Sequence, residues 1–398
     1  MRNPRHIACV LAGATASQIG AAMCIAIFPV IAPQLAAHLN VDASLIGYQV
    51  SLLFGSAVAM GPFVATIVLR WGACRAMQGS CLAAALAMAV SLTGSLLAMM
   101  FASMLIGVSA GLVSAGSAHV CTRFASMQHR NIVFSVKQTG LPIAWALVAL
   151  FAPAVALRWG WQAAMTVLLI VNLCVMFALQ GVRASWDDDR TGDATVRVPM
   201  LEGWNLLWRD RRLRYLSASS FCFSVVQSCL GAFTVVMLVQ ELEFELIAAG
   251  IVLTVAQIAG VSGRLALGWY ADVTGRGIAA LGLAGLIAAV CCVAAAFLSS
   301  TWPVWLIGVL YAIFGAAIYS WNGVFHAQLS RLSPPGKISI AIGGIMIWIY
   351  GGVLVGPAAF ATIYRALGNY TTVFGLLAVV ALAGWAFTRP ASAIDQKS

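Results

Sequence analysis

Lys137 is the side chain with the clearest chemical consequence in this chain, because it lies inside an apolar segment. The segment from Asn131 to Pro153 (NIVFSVKQTGLPIAWALVALFAP) is long enough to cross a bilayer as one helix. At about 1.5 Å per residue, Lys137 lies roughly 9 Å beyond the start of that helix, where a lysine that faces lipid is costly. We therefore expect Lys137 to face a water-filled path or a partner.

The other polar side chains of the apolar segments are cationic, aromatic or uncharged. Arg264, His119 and His326 lie in such segments, together with Gln18, Gln138, Asn172, Gln227, Gln257, Trp321, Asn322, Trp348 and Tyr350. The twelve acidic residues all fall in connecting segments, at helix ends or in the tail. A cavity with fixed positive charge and no negative charge favours an anion.

A small organic anion, such as a carboxylate, is therefore the expected bound species. Lys137 is the expected main electrostatic partner, with Gln138 and Asn322 as hydrogen-bonding candidates. Trp321 and Arg264 complete the predicted set of substrate-binding residues.

Two of these residues have structural alternatives. Lys137 could snorkel to the membrane surface, and Arg264, eight residues before Asp272, could brace a helix end. Export of a cation is disfavoured, because no carboxylate remains to pair with it. Export of a neutral or amphipathic drug is the alternative function, and it predicts that loss of Lys137 has no effect.

The composition identifies an integral membrane protein. Of the 398 residues, 62% are hydrophobic and only 9% are charged, which excludes a soluble globular domain. The chain is therefore predicted to be an all-α membrane protein in two six-helix bundles. Apolar runs of bilayer length predict twelve transmembrane helices, at 7–35, 44–69, 76–95, 97–121, 132–156, 162–182, 214–240, 247–270, 277–299, 303–329, 338–363 and 370–388.

One long polar segment separates the sixth span from the seventh. We expect a bundle at 1–182, a mobile cytoplasmic loop at 183–213, a second bundle at 214–389 and a cytoplasmic tail at 390–398. Within the loop, the segment from Trp204 to Trp208 (WNLLW) could form a short amphipathic helix on the membrane surface.

The distribution of Lys and Arg predicts the orientation. Of the 22 such residues, only Arg158 and Arg365 fall outside the cell when the odd-numbered connections are placed there. This bias predicts a bacterial inner-membrane protein with both termini in the cytoplasm. The net charge of +10 is then mostly a topological signal, and binding of nucleic acid is not expected.

Signatures of other function classes are missing from the sequence. The ten cysteines form no CxxC pair, and neither HExxH nor GxSxG occurs. We therefore expect no enzyme activity, no cofactor and no metal. The polar loop and the tails are too short for the output domain of a sensor.

A repeated motif follows the second and eighth spans. After the eighth span the chain reads GWYADVTGR, in which Gly268, Asp272, Gly275 and Arg276 fit the pattern G-x-x-x-D-x-x-G-R. The copy after the second span keeps Arg70, Gly72 and Arg75 but has Ala65 at the glycine position and Leu69 at the acidic position.

On these motifs and the six-plus-six layout, the chain resembles the major facilitator superfamily over nearly its whole length. Gly352, Gly356 and Pro357 are similar to that family's glycine–proline motif for helix packing. The segments FSVKQTGLP and SWNGVFHAQLSRLSPPG also resemble a bacterial branch of the family.

The resemblance implies a monomeric secondary transporter of a small solute that works by alternating access in the lipid bilayer, with proton coupling left open. It implies that Asp272 latches the two halves near Arg130, with Arg276, Arg70 and Arg75 as further gate residues or, alternatively, anchors. Because Leu69 replaces the acid, we expect a weaker gate on that side. Gly140 and Pro142 are expected bend points next to Lys137.

Overall fold

The computed structural model describes residues 4–124, 130–190, 200–334 and 338–395. Over these ranges the chain forms sixteen α-helices and no strand. In chain order they are α1 (Pro4–Val30), α2 (Ala32–Leu39), α3 (Ile46–Trp71), α4 (Ala73–Ser91), α5 (Leu96–Phe124), α6 (Arg130–Trp159), α7 (Trp161–Gln180), α8 (Arg183–Trp186), α9 (Met200–Arg209), α10 (Arg211–Gln240), α11 (Leu246–Thr274), α12 (Gly277–Ala295), α13 (Val304–Ile318), α14 (Trp321–Leu332), α15 (Ile338–Leu367) and α16 (Tyr370–Asp395).

Twelve segments of the described chain are long and apolar enough to cross a membrane, which confirms the predicted number. Two predicted helices are interrupted. The first span ends at Val30, and Pro33 lies in the first turn of the short α2 that follows. The tenth span is divided into α13 and α14 by Tyr319 and Ser320.

The chain divides into two compact units. Unit 1 comprises residues 1–41 and 52–198, and unit 2 comprises residues 42–51 and 199–398. The first turns of the second span therefore pack with the second unit. There, Ser51 donates a hydrogen bond to the carbonyl of Leu354 at 2.5 Å.

Small residues bring the helices of unit 2 together. A Cβ atom added at Gly263 would collide with the backbone of Ala316, and one added at Gly315 would collide with the backbone of Ala256. Helices α11 and α13 therefore touch through their backbones, as membrane helices do where small residues face each other. This contact fixes α11 beside the interruption of the tenth span.

Both described ends of the central loop are folded, which differs from the expected mobile loop. Trp186 in α8 is 1% exposed and packs against Gly13 and Leu179 in the core of unit 1. The expected surface helix is α9, but its tryptophans pack on α15 of unit 2. The physical reason is that Trp348 of α15 gives the apolar face of α9 a protein partner.

Helices α9 and α15 meet through a close backbone crossing and a stack of aromatic rings. A Cβ atom at Gly344 would lie 2.5 Å from the carbonyl carbon of Gly203, so the two helices cross with no room for a side chain. Beside this crossing the rings of Trp204, Trp208 and Trp348 stack, with centroids 5.1 to 6.1 Å apart.

Candidate functional site

Lys137 lies on the buried face of α6. Lys137 is only 4% exposed and follows the buried Val133 by one helical turn. It lies close enough to Cys121 on α5 for an electrostatic interaction. Within the described part of the chain, its ammonium has no carboxylate partner and no hydrogen-bond acceptor. A buried cation without a partner is expensive, so this position calls for an anion or a polar ligand.

Gln138 is exposed, although it does not lie on the apolar outer stripe of α6. Val136, Ile143, Leu147 and Leu150 form that stripe, and Gln138 is nearly on the opposite side of the helix at about 100° per residue. An exposed amide on the inward side of a membrane helix indicates an opening there. Gln138 therefore lines an opening of unit 1, next to Lys137 in sequence.

The neighbouring helix α1 contributes two unsatisfied polar groups. A Cβ atom at Gly140 would lie 3.3 Å from side-chain atoms of Thr15 and Ile19, so α1 and α6 pack closely just beyond Lys137. The hydroxyl of Thr15 and the Oε1 atom of Gln18 are buried and have no partner among the described residues. Pro142 lies inside α6 without interrupting it.

Arg264 lies at the interruption of the tenth span in unit 2. Its Nη2 atom donates a hydrogen bond to the carbonyl of Tyr319 at 3.1 Å, and its Nε atom is buried without a partner. The Tyr319 carbonyl is at the carboxyl end of α13, where helix carbonyls lack intrahelical donors and attract cations. Among the described residues, no carboxylate pairs with this guanidinium.

Gln227 on α10 joins two of the expected site residues. Its Oε1 atom accepts hydrogen bonds from Nε1 of Trp321 at 2.9 Å and from Nδ2 of Asn322 at 3.3 Å. Trp321 is 1% exposed, so it supports the site from behind, whereas Asn322 is half-buried. The sequence marks Gln227 only as an amide in an apolar run, and its partners, more than 90 residues away, leave no local signal.

The G-x-x-x-D-x-x-G-R motif lies at the exposed end of α11, with Gly268 and Asp272 inside the helix. Asp272 and Arg276 are exposed, and Asp272 has no ion-pair partner in the described part of the chain. Gly275 ends α11 with a φ of 65°, the left-handed conformation in which glycine is favoured. Arg70 and Arg75 are also exposed. The side chain of Arg130, the expected latch partner, lies outside the described residues.

A carboxylate from a distant segment lies beside the motif after the second span. The carboxylate of Asp187 accepts hydrogen bonds from the backbone N–H of Cys74 at 2.7 Å and of Arg75 at 3.2 Å. It thereby caps the amino end of α4, directly beside Gly72, where a Cβ atom would collide with it. Burial raises the pKa of the Asp187 carboxyl, while the two N–H donors oppose that rise. The segment after α8 therefore places an acid next to Gly72 and Arg75, although the motif itself has Leu69 at its acidic position.

The next two acids bind α5. Asp188 and Asp189 pair with Arg123, the latter at 3.1 Å, and Asp189 also lies 2.8 Å from Nε2 of His119. Arg123 donates a further hydrogen bond to the carbonyl of Trp186 at 3.2 Å. We call residues Trp186–Asp189 the WDDD segment. It ties the chain after α7 to the ends of α4 and α5.

The glycine–proline motif of the eleventh span lies where α15 meets α10. A Cβ atom at Gly352 would lie 2.5 Å from the carbonyl oxygen of Phe221, and one at Gly356 would lie 3.0 Å from the Cα of Val225. Pro357 lies inside α15, and its carbonyl faces Gly47 at the start of α3. These positions have no space for larger side chains.

Known proteins share this architecture. Among curated proteins, the chain is 27% identical over 201 residues to an uncharacterized MFS-type transporter found in two strains of Mycobacterium tuberculosis. The aligned region covers 50% of this chain and 43% of that transporter, so the chain spans less than half the length of these curated relatives.

Two solved structures share the fold at low sequence identity. One is a bacterial homolog of the human lysosomal transporter Spinster, with a TM-score of 0.81, 13% identity and coverage of 99% of this chain and 98% of that one. The other is the human organic anion transporter MFSD10 (TETRAN), with a TM-score of 0.69, 16% identity and coverage of 98% and 100%.

The family model described as "Major Facilitator Superfamily" matches residues 14–357, most of the chain. Together with the twelve spans, this match shows that the chain belongs to the major facilitator superfamily.

Proposed function

We propose that this transporter carries a small organic anion, most simply a carboxylate, by alternating access. The observation that supports this proposal best is Lys137, a buried cation that has no counter-ion among the described residues. A bound anion would supply the missing charge, and attraction between opposite charges is strong in a site that excludes water.

Arg264 supports the same substrate class from unit 2. It is partly compensated by one backbone carbonyl, but its Nε atom has no acceptor in the described chain. MFSD10, which shares the fold, is described as an organic anion transporter, in agreement with this substrate class. Gln138 and Asn322 would donate hydrogen bonds to the bound molecule or accept them from it. Trp321 would help to hold Asn322 in place, because both bind Gln227.

The proposal includes the orientation and gating that the sequence predicts. Both termini would lie in the cytoplasm of a bacterial cell, with the chain in the inner membrane as a monomer. Asp272, Arg276, Arg70, Arg75 and Arg130 would act in gating, and Gly268 and Gly275 would shape the motif. If transport is coupled to protons, Asp272 at the end of the eighth span is the one acidic residue that the described spans offer for it.

A ligand screen on the purified protein tests the proposal. Thermal unfolding is followed with mono- and dicarboxylates, organic cations and neutral amphipaths, for the wild type and for Lys137→Met. We expect carboxylates to stabilise the wild type and to have no effect on the variant. Without ligand, Lys137→Met should be more stable than the wild type, by on the order of 1–4 kcal/mol, because it removes an uncompensated buried charge.

Arg158→Met is the matched control. Arg158 is exposed and lies over the ring of Trp159, so its loss should change stability by about 0.5 kcal/mol or less and leave the carboxylate effect intact. Stabilisation by cations or neutral amphipaths that is equal in the wild type and in Lys137→Met would refute the anion proposal and favour drug export.

A further inference from the structure

We infer that Gly323 determines the size of the transported anion, by keeping open the space beside Arg264 in which the carbon chain of the substrate lies. This inference rests on the proposed anion transport and specifies its substrate class as carboxylates that carry a carbon chain.

The space above Gly323 is open. Gly323 is exposed although it lies two residues inside α14, in the middle of a membrane span. A Cβ atom built on it would meet only the Cγ of Arg264, at 3.7 Å, an ordinary van der Waals distance. The glycine thus borders an opening whose other side is the stem of an arginine without a carboxylate partner in the described chain.

The exposed face of α14 has the character of a wall facing water. From its first residue to Arg331 its accessible positions are small or polar, namely Asn322, Gly323, His326, Ala327, Ser330 and Arg331, and only Leu332 at its end is an accessible large apolar residue. The preceding half of the same span, α13, exposes large apolar side chains instead, at Val304, Trp305, Val309 and Ile313. Helices that face lipid expose apolar side chains. The change in exposed side chains between α13 and α14 therefore indicates that the exposed face of α14 is not a lipid-facing one.

The two walls of this opening are held in place. On one side, Gln227 fixes the first turn of α14 through Trp321 and Asn322. On the other, the backbone contact of Gly263 with Ala316 fixes α11 at the base of Arg264. Because neither wall can easily retreat, a methyl group at position 323 would reduce the space available to the ligand.

The expected effect follows from the loss of space between two fixed walls. One methylene more or less in a closely fitting pocket changes discrimination between ligands by about 10- to 200-fold. A methyl group at Gly323 should therefore weaken binding of longer carboxylates while leaving the shortest ones nearly unaffected, because a short chain does not reach the added methyl group.

The test measures dissociation constants of a straight-chain series, acetate, propionate, butyrate and hexanoate, for the purified full-length protein by titration calorimetry. The variants are Gly323→Ala and the larger Gly323→Ser, with Gly308→Ala as the matched control. Gly308 lies in the same span, inside α13, and a Cβ atom there would also have nothing within 4 Å, but it is remote from Arg264 in the chain.

We expect Gly323→Ala to lower the preference for the longest acid that binds the wild type over the shortest by about tenfold or more, and Gly308→Ala to keep the wild-type preference. Binding that depends on Arg264 but keeps the same preference in both Gly323 variants would overturn this inference alone. If no carboxylate in this series or in the screen above binds the wild type, the proposed function fails, and this inference fails with it.

Discussion

The WDDD segment illustrates how one carboxylate can stabilise a distant helix. Asp187 accepts two backbone N–H bonds at the amino end of α4, where donors would otherwise lack partners. An anionic cap at this end is also favoured by the helix dipole. The carboxyl is buried as well, and burial opposes its ionisation more strongly than the two donors support it.

Asp187 should therefore give the protein a specific pH dependence. Because its pKa is raised in the folded state, the folded protein binds this proton more tightly than the unfolded chain, whose Asp has an ordinary pKa of 3.8. The contribution of Asp187 to the free energy of unfolding is then greatest below that ordinary value, and it falls as pH rises through the raised pKa.

Thermal unfolding of the wild type and of Asp187→Asn between about pH 4 and pH 7 checks this sign. The asparagine keeps an acceptor for the N–H of Cys74 but cannot titrate. The free energy of unfolding of the wild type minus that of the variant should increase as the pH falls. A difference that is constant, or that shifts toward the variant, would show that the carboxyl is not penalised by burial.

At this scale, the sequence predicts which residues are chemically unusual better than it predicts their partners. Lys137 stands out because a cation interrupts an apolar run, and the structure places it in a buried position. The cap from Asp187 to Cys74 joins residues 113 positions apart, so neither spacing nor periodicity could reveal it. Leu69 marks the missing acid in the sequence, but the carboxylate that lies beside this motif comes from another element.

Elements were predicted well where length and composition determine them. Twelve apolar runs become twelve spans, because backbone groups in a membrane must be satisfied within a helix. The interruption at Tyr319 and Ser320 was missed, because the groups that accommodate it lie elsewhere. Arg264 satisfies the freed carbonyl from α11, and Gln227 holds the restarted helix from α10.

The docking of α9 on α15 should depend on Gly344. A methyl group there would lie 2.5 Å from the backbone of Gly203, so Gly344→Ala must separate the two helices. Overpacking of this kind costs about 1–3 kcal/mol. Trypsin should then cut after Arg209 or Arg211 roughly tenfold faster or more than in the wild type, because cleavage follows the population of the detached form.

Gly343→Ala is the control for this prediction. Gly343 lies next to Gly344 in α15, but a Cβ atom added at Gly343 would have nothing within 4 Å. Its substitution should leave the cleavage rate unchanged. Equal rates for both variants and the wild type, measured by mass spectrometry of the fragments, would mean that the crossing of α9 and α15 does not protect the segment.

On the scale of the whole molecule, the chain between the two units is anchored at both of its described ends. Trp186 is buried in unit 1, and α9 packs on α15 in unit 2. Each unit therefore holds its own end of the connection by contacts that do not need the intervening residues 191–199.

A cut in the connection should therefore leave each unit folded. A protease site inserted between residues 190 and 200, then cleaved in the purified protein, should leave the helical circular dichroism unchanged and the midpoint of thermal unfolding within about 2 °C of that of the uncut protein, since the described contacts at both ends are kept. Loss of helical signal after cleavage would show that the connection itself maintains the fold of one unit.

The stack of Trp204, Trp208 and Trp348 has an optical consequence. Their planes lie within 7° to 13° of parallel and their centroids at most 6.1 Å apart, so the electronic transitions of the three indoles must couple. Coupling of this kind changes the ultraviolet absorption and circular dichroism of the three rings relative to those of separated tryptophans. The protein thus carries an intrinsic spectroscopic reporter for the docking of α9, readable without any label.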